Sequence, residues 1–150
     1  MTTIAIPSTS EAPARTPERD TFLAVVLIAA VGHSRYWSRC REFQWWLPGF
    51  IGGHAEPARS GGGNAWARLI DEHDTEHLVT LDTIEAGLTE IESACPEFMD
   101  ELDRRSIRFL NRHSAIHPHR GALTSAQRPM SPALADQILQ VGLLGTLVYG

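Results

Sequence analysis

The stretch FLAVVLIAAV, residues 22–31, constrains this chain more than any other. No side chain in it is polar, so a helix built from it has no face to turn toward water. A membrane span needs about 20 such residues, and this run falls well short. The rest of the chain must bury it, which predicts a first helix at the centre of a folded domain. Asp20 or Thr21 is placed to cap that helix, because their oxygens accept the free N–H groups of a first turn. Gly32 is placed to end it, since glycine tolerates a left-handed turn. A secretory signal would need an Ala-x-Ala-like cleavage site after the apolar core, and VGHSRYW offers no such site. With only two cysteines, Cys40 and Cys95, no disulfide framework is implied, and the expected setting is the reducing cytoplasm.

What surrounds the helix is mixed. Residues 1–19 hold three prolines and many Ser and Thr without periodicity, and read as a disordered arm; residues 20–150 read as a single domain. RYWSRCREFQWW, residues 35–46, favours a strand through its aromatics. Strict alternation would put Trp37, Arg39, Arg41, Phe43 and Trp45 on one face. LPGFIGGHAEPARSGGGN, residues 47–64, reads as a long loop. Residues 65–79 fit either a helix capped by Asn64 or two strands around the turn DEHDTE. Asp82 and Glu85 then suggest a capping box for a helix with Leu81, Ile84, Leu88 and Ile91 as its apolar stripe, ended by Pro96. A further helix over about 97–111 would turn Phe98, Leu102, Phe109 and Leu110 inward. Ser131 and Pro132 open a last helix carrying Leu134, Ile138 and Val141; Gly145 closes it, and TLVYG reads as a terminal strand. The expected fold is α+β: a small antiparallel sheet packed against about four helices.

Composition excludes several chemistries. All 13 basic side chains are Arg. Without Lys there is no Walker A loop, Schiff-base lysine or kinase-type lysine, so SGGG at residues 60–63 is no nucleotide loop. The charge is polarised. Twelve acidic residues and no Arg lie between Asp71 and Asp103; six Arg and three His, with no acid, lie between Arg104 and Arg128. Such blocks form solvated faces, or a self-complementary dipole that favours assembly.

Four groups of residues are candidates for chemistry. HDTEH, residues 73–77, has the His-x-x-Glu-His spacing of zinc hydrolases, with His73 and His77 as ligands and Glu76 as base. That chemistry needs a helix aiming both rings at one point, yet Leu78 to Leu81 read as a strand, which favours a hydrophilic turn. His113, His117 and His119 can chelate a metal from a loop, or stand idle there. Cys40 or Cys95 would be a nucleophile only beside a base, and Cys95 fits better as a small core residue. Tyr36, Trp37, Trp45 and Trp46 with Arg35, Arg39 and Arg41 match a stacking platform for single-stranded nucleic acid, or a strand packed on the first helix. The net charge of −5 disfavours nucleic acid, whose phosphates dominate affinity.

Three segments, LIAAVGHSRYW, HLVTLDTIEAGL and ILQVGLLGTLVYG, together resemble an uncharacterised family of small proteins carried on bacterial plasmids, phages and other mobile elements. The resemblance covers about residues 21–150. It implies strand, turn, strand for 65–81 and supplies no activity, cofactor or site. Two departures stand out. Gly32-His33-Ser34 replaces a Glu-Gly-Gly turn, and Ser131-Pro132-Ala133 replaces an Asp-rich stretch, leaving Asp136. The expected function is a small non-enzymatic accessory protein of a mobile element that binds a protein partner or itself, with no cofactor and no membrane contact. The alternatives are a metal-dependent hydrolase using His73, Glu76 and His77, and a nucleic-acid binder using the Arg104–Arg128 block.

Overall fold

A computed structural model describes residues 15–94, 96–113 and 130–149. Helix α1, Pro17–His33, begins three residues before the expected cap. Thr16 is the true cap, accepting a hydrogen bond from Arg19 N–H at 3.1 Å, and Pro17 pre-sets the first turn. The helix also runs through Gly32, which is not in the left-handed region, and passes into a short 3-10 turn, Ser34–Tyr36. Residues buried on nearly every side of α1, Phe22, Leu23, Ala24, Val26, Leu27, Ala30 and Val31 among them, bear out its central placement.

Three strands follow: β1 (Ser38–Trp46), β2 (Asn64–Asp71) and β3 (Glu76–Val79), antiparallel in the order β1-β2-β3. Residues 65–79 are therefore a hairpin, not a helix. Ala65, Ala67 and Leu69 of β2 face the helices and are buried, while Trp66, Arg68 and Ile70 face outward. A bulge between Cys40 and Glu42 corrects the simple alternation of β1. Before it Arg39 pairs with outward Ile70; after it Phe43 and Trp45 pair with inward Ala67 and Ala65. The aromatic strand is thus split between two faces by one extra residue.

Helix α2 is Leu81–Ala94, with the expected stripe Leu81, Ile84, Leu88 and Ile91 buried. Its start is organised by Thr80 and Thr83, the Thr83 hydroxyl accepting from Thr80 N–H at 3.1 Å, rather than by Asp82 and Glu85. Helix α3 is Glu101–His113, later than expected, with the Asp100 carboxylate accepting from Asp103 N–H at 2.8 Å. It turns Ile107 and Leu110 inward, with Met99 buried just before it; Phe98, Leu102 and Phe109 keep substantial exposure, contrary to expectation. Helix α4, Pro132–Leu144, has the Ser131 cap and a left-handed Gly145 at its end. Residues 146–149 form no strand.

Helices α1 and α2 pack on the inner sheet face, α1 more extensively; α4 lies against both of them, and α3 against α2. The crossing of α2 on α4 is closed by two glycines. A Cβ on Gly87 would lie 2.1 Å from Ile138 O, and one on Gly142 would lie 2.0 Å from Thr83 O. The whole is α+β, as expected, with one continuous apolar core. Among the described residues no helix is long and apolar enough to cross a membrane.

Candidate functional site

Strand alternation separates the would-be zinc ligand His77 from the would-be base Glu76. His77 pairs with inward Leu69, and Glu76 pairs with outward Ile70, so the two point to opposite sides of β3. His77 Nε2 meets Asp71 Oδ2 at 2.8 Å, and the two side chains are only 17% and 10% exposed. Asp71 Oδ1 also accepts from His73 N–H at 2.8 Å and Thr75 N–H at 3.0 Å. Together with Asp74 at φ +63°, these bonds fold the turn. The His77 hydrogen bond, then those two backbone N–H groups, hold the Asp71 carboxyl well down, at about 2. His73 is out in solvent, its side chain 75% exposed. The motif is a structural turn, and among the described residues no group of three or more His, Cys, Asp or Glu is arranged to hold a metal.

Glu76 instead joins a charge ladder on the outer sheet face. Arg41 Nη1 donates to Glu76 Oε1 at 2.8 Å and Arg68 Nη1 to Glu76 Oε2 at 3.3 Å. Arg68 Nε also reaches Glu42 at 3.2 Å, and Arg39 reaches Asp74 at 3.2 Å. The paired arginines hold the Glu76 carboxyl below its ordinary range. Between these charges stand Trp46, Trp66, Ile70 and Leu78, and the Arg68 guanidinium lies over the Trp66 ring, 5.8 Å from its centroid. Leu78 is half exposed. Among the described residues no element packs on this face.

The other aromatics belong elsewhere. Trp37 is buried, and its indole N–H donates to Asp136 Oδ1 at 3.0 Å. Tyr36 OH lies 2.9 Å from Asp136 Oδ2 and 2.8 Å from Tyr149 O. Gln140 Nε2 lies 2.9 Å from Asp136 Oδ2 and from Tyr149 O, while its Oε1 accepts from Val148 N–H at 3.1 Å and Tyr149 N–H at 2.8 Å. The Tyr149 ring stacks on Trp37 at 4.9 Å and 6°. Burial first, and then the negative field of Asp71 and Glu72, raises the pKa of the Tyr149 phenol. Asp136 and Gln140 are the buried polar residues that organise this cluster, and sequence reasoning gave them no role.

A third polar arrangement lines an open cleft of about 1320 Å³ between the start of α1, residues 57–60 and the start of α2. Buried Asp20 accepts from Arg15 Nε and from the Ser60 hydroxyl, each at 2.6 Å. Arg15 also reaches Asp82 at 2.9 Å, and Arg19 pairs with Glu85. The glycine segment closes this corner. Gly63 N–H donates to Thr21 Oγ1 at 2.8 Å, and Gly62 lies so near Pro17 that a Cβ would meet its carbonyl at 2.2 Å. The N–H groups of Gly61 and Gly62 are likewise taken within the chain, by Ala58 O at 2.8 Å and the Ser60 hydroxyl at 3.1 Å.

The remaining candidates disperse. Arg104 donates to the carbonyls of Pro96 and Met99, and Arg105 pairs with Glu101 at 3.0 Å, so half of the α3 arginines are used internally. Arg120, Arg128, His117, His119 and Cys95 lie outside the described residues, as does the side chain of His113. Cys40 is exposed; partial burial of its thiol raises its pKa, the opposite of what a nucleophile needs. No protein-family model matches this sequence, and neither curated proteins nor solved structures contain a match to it.

Proposed function

We propose that this chain is a non-catalytic accessory protein of a mobile element that works in the cytoplasm by binding protein through the outer face of its sheet. The observation that carries this reading is the outer sheet face, on which no described element packs: partly exposed Trp46, Trp66 and Ile70 and half-exposed Leu78, set among arginines and carboxylates. Aromatic and arginine side chains on one surface are the usual composition of a protein-recognition patch. The arginines there are already paired with Glu42, Asp74 and Glu76, which leaves little positive field for a nucleic-acid backbone. The split of Glu76 from His77 across β3 disfavours the hydrolase reading. The mobile-element assignment rests on the three resembling segments.

A photo-crosslinking residue at position 78 tests it, expressed in the cells that carry the gene, with position 90 on α2 as an exposed control. A discrete adduct from 78 and none from 90 is expected, its mass distinguishing a second copy from another protein. Equal adducts from both positions, or none from either, would overturn the reading.

A further inference from the structure

We infer that the slot formed by Trp37, Tyr36 and Gln140 is a binding site for a short peptide bearing a tyrosine, and that the chain's own residues 148–149 are its resident, displaceable ligand. This site is separate from the sheet face and does not depend on it.

Among the described residues no backbone–backbone hydrogen bond reaches residues 146–149. Their polar attachments among the described residues come from two side chains, Tyr36 and Gln140. The Gln140 amide offers its oxygen to the N–H groups of Val148 and Tyr149, at 3.1 and 2.8 Å, and its nitrogen to Tyr149 O at 2.9 Å. To Tyr149 it thus presents the acceptor and donor that a neighbouring strand would present to one residue, while the Val148 N–H bends in to the same oxygen; backbone bonds give affinity and a side-chain seat gives selectivity. The seat is the Trp37 indole, on which the Tyr149 ring lies parallel. The indole is fixed at its N–H edge by Asp136, which also meets Tyr36 OH and Gln140 Nε2. The receptor groups are therefore positioned by contacts that remain when the tail leaves. The connection suits release: Gly145 is at φ +84°, Gly145 and Thr146 are exposed, and the Val148 side chain is 55% exposed.

The test uses full-length protein. Tyr149→Ala removes the ring from the slot, and the indole N–H resonance of Trp37, assigned with Trp37→Phe, reports its occupancy. An acetylated peptide of sequence GTLVYG should shift that resonance saturably in Tyr149→Ala, and GTLVAG should not. In the unaltered chain the shift should be at least about threefold smaller at ~0.1 mM peptide, because the tethered segment competes at an effective concentration of about 1 mM. No peptide-induced shift in a folded Tyr149→Ala, or equal shifts from both peptides, would overturn the proposal. Hydrogen exchange of the unaltered protein gives a second readout if the variant does not fold. The Val148 and Tyr149 amides should exchange at least about 100-fold faster than that of Leu139, by an opening confined to the tail. Exchange within about threefold of Leu139 would mean that the tail leaves only with the whole fold, and would equally overturn it.

Discussion

Asp71 does at one position what HDTEH suggested for a metal: it collects donors. Its carboxylate binds His77 through one oxygen and the backbone of His73 and Thr75 through the other. Its pKa, about 2, lies below the ~3.9 of an unfolded aspartate. A depressed carboxyl contributes stability that is complete above the unfolded value and disappears as pH falls through the folded one. The contribution of Asp71 should therefore be full at pH 5 and lost between about pH 4 and 2. Denaturant midpoints of the unaltered protein and Asp71→Asn should differ at pH 5 and converge as pH approaches 2. A gap that stays constant down to pH 2 would show that the turn does not draw on that charge. The histidines caught the eye in the sequence, but the organising residue stands two positions before the motif. Asp136 was harder still to read, because its donors Tyr36 and Trp37 lie 100 and 99 residues away.

Elements were legible wherever a local signal decided them. Ser131-Pro132 opens α4 and Gly145 closes it, as the sequence indicated. Thr16-Pro17 is the same signal and opens α1, yet the apolar run drew attention to Asp20, which faces Ser60 and Arg15 instead. The bulge in β1 and the lack of a terminal strand depend on partners elsewhere in the chain, and nothing local announced them. The same holds for the α2–α4 crossing, where periodicity gives the stripe Leu81, Ile84, Leu88 and Ile91 but not the glycines that set the distance. Gly87→Ala and Gly142→Ala weigh two opposed effects. Alanine favours a helix interior over glycine by about 1 kcal/mol. Against that, the new methyl would stand 2.1 Å from Ile138 O in one case and 2.0 Å from Thr83 O in the other. Those atoms are backbone, so the helices themselves must part, and overpacking of this kind costs about 1–3 kcal/mol or more. Each variant should be destabilised by about 2 kcal/mol net in urea unfolding. Gly32→Ala is the control: a Cβ there meets nothing within 4 Å, and the substitution should be neutral or stabilising.

At the scale of the molecule, folding rearranges the charge blocks. The acidic block between Asp71 and Asp103 looks in sequence like one pole of a dipole. In the structure Asp74, Glu76, Asp82 and Glu85 find arginines from residues 15–68, and Glu101 pairs within α3. The outer sheet face is neutral in sum, with Arg39, Arg41 and Arg68 against Glu42, Asp74 and Glu76. Two accounts of association then differ in their response to salt. Attraction between opposed charge blocks acts over distances that ~0.5 M salt screens away, since the Debye length is about 10 Å at 0.1 M and shorter above it. Contact through the neutral face draws instead on Trp46, Trp66, Ile70 and Leu78, and burial of apolar surface survives added salt. Screening even helps if the occupant is a second copy, because each chain carries a net charge of −5. Association through the sheet face should thus hold or strengthen between about 50 mM and 500 mM NaCl. It should weaken when Leu78→Asp puts a charge among the apolar residues of that face. Sedimentation velocity across that salt series checks both effects. Complexes that dissolve as salt rises, and that ignore Leu78→Asp, would return the explanation to the charge blocks and take it away from the sheet.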